Sequence, residues 1–387
     1  MIMIRIANIT QMLGLISLIL SLHSCSKDPL ENVEDPDEVI EIPGFDGEGL
    51  IVPVKINNQN KIIGYYQPGE QGPDANDPFD GKRQNGFLIQ HDGEGFVPLN
   101  QPSHVVNRPR NLNDHGLIVG EFITEDNYNV SANLSPTYAF SMNADGTDFK
   151  NLHPSNAYYS SATHVTDHPS ILGHYSTTEQ GSVACIFRGD SVADLVDSNQ
   201  LLFSRVHAVN QEYAILYTYN GNIRQYYAYH FQDESLALLD IHSLIADMSS
   251  IYAVNDQGIA VGYSVDFSQS DAFIGMMYDM NNQQLTLYKN SNNVGGSTFI
   301  GYKFMDINEK NIITGIAERP YEGGFLQSRA MLTDKQFHRV WDITPYNGNA
   351  YSEMVSLNDN GKALGYLGIP KKNQMVNKMM VIDVNSY

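Results

Sequence analysis

Cysteine is almost missing from this chain. Two occur in 387 residues, Cys25 and Cys185. Cys25 falls at the end of an N-terminal apolar segment, which leaves Cys185 alone in an apolar strand. An intramolecular disulfide framework is excluded, and a buried structural thiol is expected at Cys185. Basic residues are scarce as well: 23 Lys and Arg stand against 44 Asp and Glu, a net charge of −21. The only basic pairs are Lys82-Arg83 and Lys371-Lys372. A nucleic-acid partner is excluded on that balance, since phosphates call for clustered cations. No apolar run is long enough to span a bilayer as a helix; the best, residues 12–22, is too short. There is no G-x-S-x-G elbow, no H-E-x-x-H, no glycine-rich phosphate loop and no Cys-x-x-Cys, so no catalytic motif is legible. No long helical periodicity stands out, and only 241–249 offers a possible helical turn.

What the chain does have is a repeat. Residues 251–264 read IYAVNDQGIAVGYS: an apolar run, a polar turn, then a second apolar run containing glycine. The pattern recurs seven times, with anchors at Asn57, Asn113, Thr166, Asn210, Asn255, Asn308 and Asn358. The spacings are 56, 53, 44, 45, 53 and 50 residues, a period that points to a solenoid or a propeller. Seven residues after the anchor stands Gly64, Gly120, Gly173, Gly262, Gly315 or Gly365; Tyr217 is the exception. The third residue after the anchor is Gly or Asn in five blocks, as a turn with positive φ requires. The flanks are rich in Val, Ile and Tyr, so each block reads as a β-hairpin. The internal glycine marks a close approach, read here as a neighbouring repeat packing on the strand.

A second hairpin lies between anchors. It is clearest in 85–100 and 138–153, where Asp92-Gly93 and Asp145-Gly146 form the turns. Two hairpins per repeat make four strands, one propeller blade. The expected fold is therefore all-β, a seven-bladed β-propeller over 38–387. The last repeat supplies only three strands before the chain stops. Residues 38–43, EVIEIP, are the spare strand, and they should close the last blade.

These strands resemble the HAF-repeat extracellular proteins. Their signature is an aromatic AFL-type strand, a glycine turn, a Leu-containing strand and an IN-x-x-G-x-x-x-G hairpin. The resemblance covers nearly all of 50–387, though no copy carries the full His-Ala-Phe-Leu-Trp run and the third and fourth are eroded. It implies a fold and export from the cytoplasm more than an activity.

Residues 1–24 read as a lipoprotein signal peptide. Arg5 precedes an apolar core, and Leu22-His23-Ser24-Cys25 resembles a bacterial lipobox, making Cys25 the expected lipidation site. Residues 25–37 form an acidic tether; 26–50 hold nine acidic residues and one lysine. An acidic stretch after the lipidated cysteine resembles the surface-export tag of Bacteroidota lipoproteins. The resemblance implies an outer-membrane address with surface display.

Function is expected on one end of the disc. The anchor and Asp-Gly turns are short. The other connections, 67–84, 124–137, 153–160, 289–301, 318–327 and 344–351, are long and irregular, and they share the opposite face. Phe79, Tyr128, Tyr158, Tyr159, Tyr321 and Tyr346 fall in or beside them, with Asn292, Asn293 and Asn347. Tyr and Asn suit sugars or protein surfaces, while for any single tyrosine packing of its loop against the disc is the more common role. A Ca²⁺ loop at Asp74, Asn76, Asp77 and Asp80 is weighed and set aside, because Pro78 breaks the ligand spacing. Asp145-Gly146-Thr147 is read as a plain turn. His104, His164 and His207 lie near the starts of anchor strands and are read as channel-wall residues rather than metal ligands. No cofactor is expected. The leading reading is a monomeric, membrane-anchored module that binds a glycan or a protein. The alternatives are a glycan-active hydrolase or lyase at the channel mouth, whose carboxylates would leave no local pattern, and a structural envelope component.

Overall fold

The computed structural model describes residues 39–40, 49–68, 83–128, 135–168, 170–178, 181–189, 191–196, 202–220, 223–241, 249–266, 272–288, 299–320, 326–336, 340–344, 351–371 and 374–386. These form seven four-stranded antiparallel sheets, each built from consecutive strands except the last. The first blade runs Gly49–Ile56, Lys61–Pro68, Asn85–Gln90 and Val97–Pro98. The innermost strands of the others are His104–Leu112, Tyr159–Val165, Arg205–Val209, Ser250–Val254, Gly301–Ile307 and Tyr351–Leu357. In the seventh blade the outer strand is Val39–Ile40, paired antiparallel with Gln374–Asp383 through Val39↔Met380 and Ile40↔Met379. The spare N-terminal segment closes the ring as its sequence suggests. No described helix is long and apolar enough to cross a membrane.

Apolar alternation places the core between blades, because each sheet buries both faces against its neighbours. One cluster joins blades four and five through Ile215, Tyr226, Ile251 and Met276. Another joins blades seven and one through Ile40, Ile51, Phe87 and Met379, so the seam is packed like any other joint. Cys185 is wholly buried with Val183 and Phe187, and burial drives its thiol pKa far up, which makes it an inert packing group.

The repeat's two signatures have specific causes. The five Gly or Asn residues at the third turn position, Asn60, Gly116, Gly258, Asn311 and Gly361, all take positive φ. The strand glycines answer a β-bulge. Every innermost strand carries an irregularity just before its anchor, as between Phe304 and Asp306. The bulge pushes the carbonyl five residues before the anchor toward the second strand. A Cβ on Gly64 would lie 2.6 Å from the Val52 carbonyl oxygen. The close approach therefore comes from the glycine's own blade rather than from a neighbouring repeat, which corrects the sequence reading. The exception also moves. The fourth turn is one residue shorter, with the Asn210 N–H donating to the Tyr213 carbonyl. The residue facing the bulge is then Leu216, opposite Val206, not Tyr217.

A candidate ligand-binding channel

The seven innermost strands carry their anchors to one end of the disc. There, two hydrogen-bonded rings run from blade to blade. In the first, each anchor side chain reaches the next anchor's carbonyl. Asn57 Nδ2 donates to Asn113 O at 3.0 Å, and Asn113 Nδ2 to Thr166 O at 2.9 Å. The series continues from Asn210 to Asn255, Asn308 and Asn358. Asn358 Nδ2 then returns to Asn57 O at 2.8 Å, joining residues 301 apart. Each anchor asparagine also accepts from its own turn, as the Lys362 N–H does to Asn358 Oδ1. The one gap lies between Thr166 and Asn210. Threonine has no amide to give, and its hydroxyl bonds locally to His168 O. Replacing Thr166 with Asn supplies the missing donor. An increase of about 1 kcal/mol in unfolding free energy is expected by urea denaturation; no gain would show that this joint is not held open by the missing amide.

The second ring uses the residue after the anchor. Its N–H donates to the side-chain oxygen of its counterpart in the next blade, and all seven links are made. They run Asn58 to Asp114, Asp167, Gln211, Asp256, Glu309, Asp359 and back to Asn58. Five of these seven are carboxylates, and two amides separate them. Asn58 Nδ2 bridges Asp114 at 2.9 Å and Asp359 at 2.8 Å, and Gln211 Nε2 donates to Asp167 at 3.0 Å. Burial, then the neighbouring acids, raises the pKa of Asp256 and of Glu309. The ring rims a cavity of about 160 Å³. Below it Lys55 pairs with Asp306 at 3.1 Å, and that carboxylate also accepts from Ser356 and the Leu357 N–H. Among the described residues no group of His, Cys, Asp and Glu is arranged to hold a metal ion. The acids here act as inter-blade acceptors, so this end is a stiff collar.

The other end, where the innermost strands begin, is built differently. Arg108 and Arg110 converge on buried Glu121, at 3.3 Å and 2.6 Å. Burial opposes ionisation of Glu121, but Arg110 outweighs it and keeps the carboxylate charged. In the next blade His174 lies within the fields of Arg110 and Arg205. His207 lies within those of Arg205 and Arg224. Burial lowers His174 and His207 to about 4 and His164 to about 3, so all three are neutral at physiological pH. Arg224 stacks over Tyr217 with its guanidinium 4.8 Å from the ring centre.

The expected site residues divide. Tyr158 is 53% exposed at the long-loop end, and Tyr159 beside it meets the His174 ring edge-on at 5.8 Å. Tyr128 is half-buried against Val105, Val106 and Ile123, which fits loop packing. Phe79, Tyr321, Tyr346, Cys25, residues 242–248 of the expected 241–249 turn, and the Ca²⁺ candidates Asp74, Asn76, Asp77 and Asp80 lie outside the described residues. So do Asn292, Asn293 and Asn347. The three histidines do not converge. His164 and His207 share the channel wall, while His104 packs between Phe122 and Phe149. Asp145 accepts from Thr147 in a simple turn.

Two features went unread in the sequence. The collar had a signal: the position after the anchor carries a side-chain oxygen in all seven repeats. The arginine arc had none, since Arg110, Arg205 and Arg224 occupy three different repeat positions.

No family model matches the chain, and no curated protein matches it. Solved structures do. A prolyl endopeptidase aligns over 85% of this chain and 50% of its own, with a TM-score of 0.54 and 8% identity. The β-propeller domain of the Trilobed protease from Pyrococcus furiosus aligns over 87% and 96%, with a TM-score of 0.48 and 9% identity. YCF48 bound to a D1 peptide aligns over 91% and 98%, with a TM-score of 0.47 and 9% identity. The chain spans under two thirds of several peptidases it matches, including 30% of the tricorn protease. At these identities the likeness is one of fold.

Proposed function

We propose that this protein is an envelope-anchored binding module that recognises a glycan or a protein with the long-loop end of its propeller. The observation that carries this reading is the asymmetry of the two ends. At one, the anchor turns are short and tied into the closed collar of side-chain hydrogen bonds. The other receives the long connections and presents Tyr158 to solvent beside Tyr159. A rigid base with variable loops at the opposite end is the usual construction of a recognition surface. The collar's carboxylates, which a hydrolase would need free, are engaged as acceptors of backbone N–H groups. The fold shared with propeller domains agrees with a binding role and does not carry a peptidase activity across. The envelope address rests on the lipobox at Cys25 and on the resemblance to HAF-repeat extracellular proteins.

The test uses the full chain recovered in detergent from a membrane fraction, applied to glycan arrays and to envelope-protein pull-downs. A ligand is expected whose affinity falls by roughly tenfold on Tyr158→Ala, in line with loss of an exposed aromatic contact. Chain recovered only in the soluble fraction would overturn the anchor. Binding indifferent to Tyr158→Ala and Tyr159→Ala would overturn the site.

A further inference from the structure

The arc across the second, third and fourth blades concentrates positive charge in a strongly acidic protein. Arg108 and Arg110 hold the carboxylate of Glu121, while Arg205 and Arg224 lie farther along the arc, beside His174 and His207. Arg224 is committed to neutral acceptors. It donates to Ser249 O at 2.6 Å and to the Tyr219 and Tyr226 hydroxyls at 3.3 Å. Arg205 is different. It is the first residue of its strand, exposed at the long-loop mouth, and makes no ion pair among the described residues.

A second, independent feature lies beside it. His174 is 8% exposed, and its Nδ1 has no hydrogen-bond partner. The Arg224 Nε is likewise buried and unpartnered. Buried polar atoms are almost always satisfied, so such a pair around an unmatched cation marks a place where a ligand's oxygens belong. The walls are aromatic: Tyr159 meets His174, and Tyr217 and Tyr219 lie under Arg224.

We propose that Arg205, with His174 and the neighbouring tyrosines, forms a binding site for the carboxylate of an acidic saccharide entering from the long-loop end. The proposal rests on the binding-module reading above and specifies its ligand. One unmatched guanidinium balances a monoanionic carboxylate, whereas a phosphate would bring nearly a second charge. A guanidinium fork takes a carboxylate through two parallel N–H···O bonds, and flat tyrosine faces suit a pyranose ring.

The test is titration calorimetry on the full chain in detergent, with tetragalacturonate and its methyl ester as probes. The ester keeps the sugar rings and removes the charge. Tetragalacturonate is expected to bind at least roughly tenfold more tightly than the ester. Arg205→Ala is expected to abolish that difference, with Arg205→Lys restoring part of it. The melting temperature of Arg205→Ala should match the parent, which separates loss of a site from loss of fold. Equal affinity for acid and ester, or an unchanged preference in Arg205→Ala, would overturn the carboxylate site and leave the binding-module reading standing. A glutamate hexapeptide that binds more tightly than tetragalacturonate through Arg205 would overturn the saccharide. An array on which neither glycan nor protein binds would overturn the parent reading together with this one.

Discussion

Gly262→Ala should destabilise the propeller by about 3 kcal/mol or more, a large effect for a single added methyl group. The new Cβ would overlap the Ser250 carbonyl oxygen and lie 2.8 Å from the Ile251 Cα. Both are backbone atoms of the bulged innermost strand, so no side-chain rotation relieves the clash. Relief requires the bulge to flatten, and flattening shifts the register that delivers Asn255 to the collar. Gly181→Ala is the matched control, since nothing lies within 4 Å of its Cβ position and its φ is ordinary. It should change stability by no more than about 0.5 kcal/mol. Urea denaturation followed through the single tryptophan, Trp341 in the sixth blade, gives the comparison directly. Equal midpoints for the two variants would show that the strand glycines are not bulge-imposed. In the fourth blade Leu216 occupies the equivalent slot beside a bulge of the same kind. Leu216→Gly is therefore not expected to gain anything; it loses a wholly buried side chain.

Asn358→Ala should cost about 3 kcal/mol and act at a particular place. The side chain is 3% exposed. It donates to Asn57 O and to Asn60 Oδ1, both at 2.8 Å, and accepts from the Lys362 N–H at 2.8 Å. Truncation leaves buried partners unsatisfied on both sides of the seam between blades seven and one. Asn308→Ala removes a comparable set, including the link to Asn358 O and the bond from the Ile312 N–H. The two variants should lose similar amounts of stability and differ in where amide exchange accelerates. For Asn358→Ala, faster exchange is expected at Val39–Ile40 and along Gln374–Asp383. For Asn308→Ala those strands should keep their protection. Identical exchange maps would mean that the seam opens no more readily than any other joint.

The fold was legible because its signals repeat. One Asn turn or one strand glycine is ambiguous, but seven copies at a blade-length period leave few architectures. The closing strand was legible by elimination, as EVIEIP was the one β-like segment without a place. The reason for the strand glycine was not, because a bulge leaves no mark in the residue types that form it. Val54, Arg110, Thr163, His207, Tyr252, Met305 and Val355 occupy the extra position, with no chemistry in common. The arginine arc was hidden for a related reason. Its members come from the bulge of the second blade and from the first and third strands of the fourth. Only the packing of successive blades sets Arg110 and Arg205 about His174, and Arg205 and Arg224 about His207.

The single interruption in the anchor ring falls between Thr166 and Asn210, at the joint of the third and fourth blades. His174 lies within the field of Arg205 across that same joint. A toroid breathes where its girdle is unfastened. With only the Asp167–Gln211 link of the second ring fastening that joint at the collar, the third and fourth blades are the pair expected to separate most readily, and a guest seated between them would act as the clasp that the anchor ring lacks there.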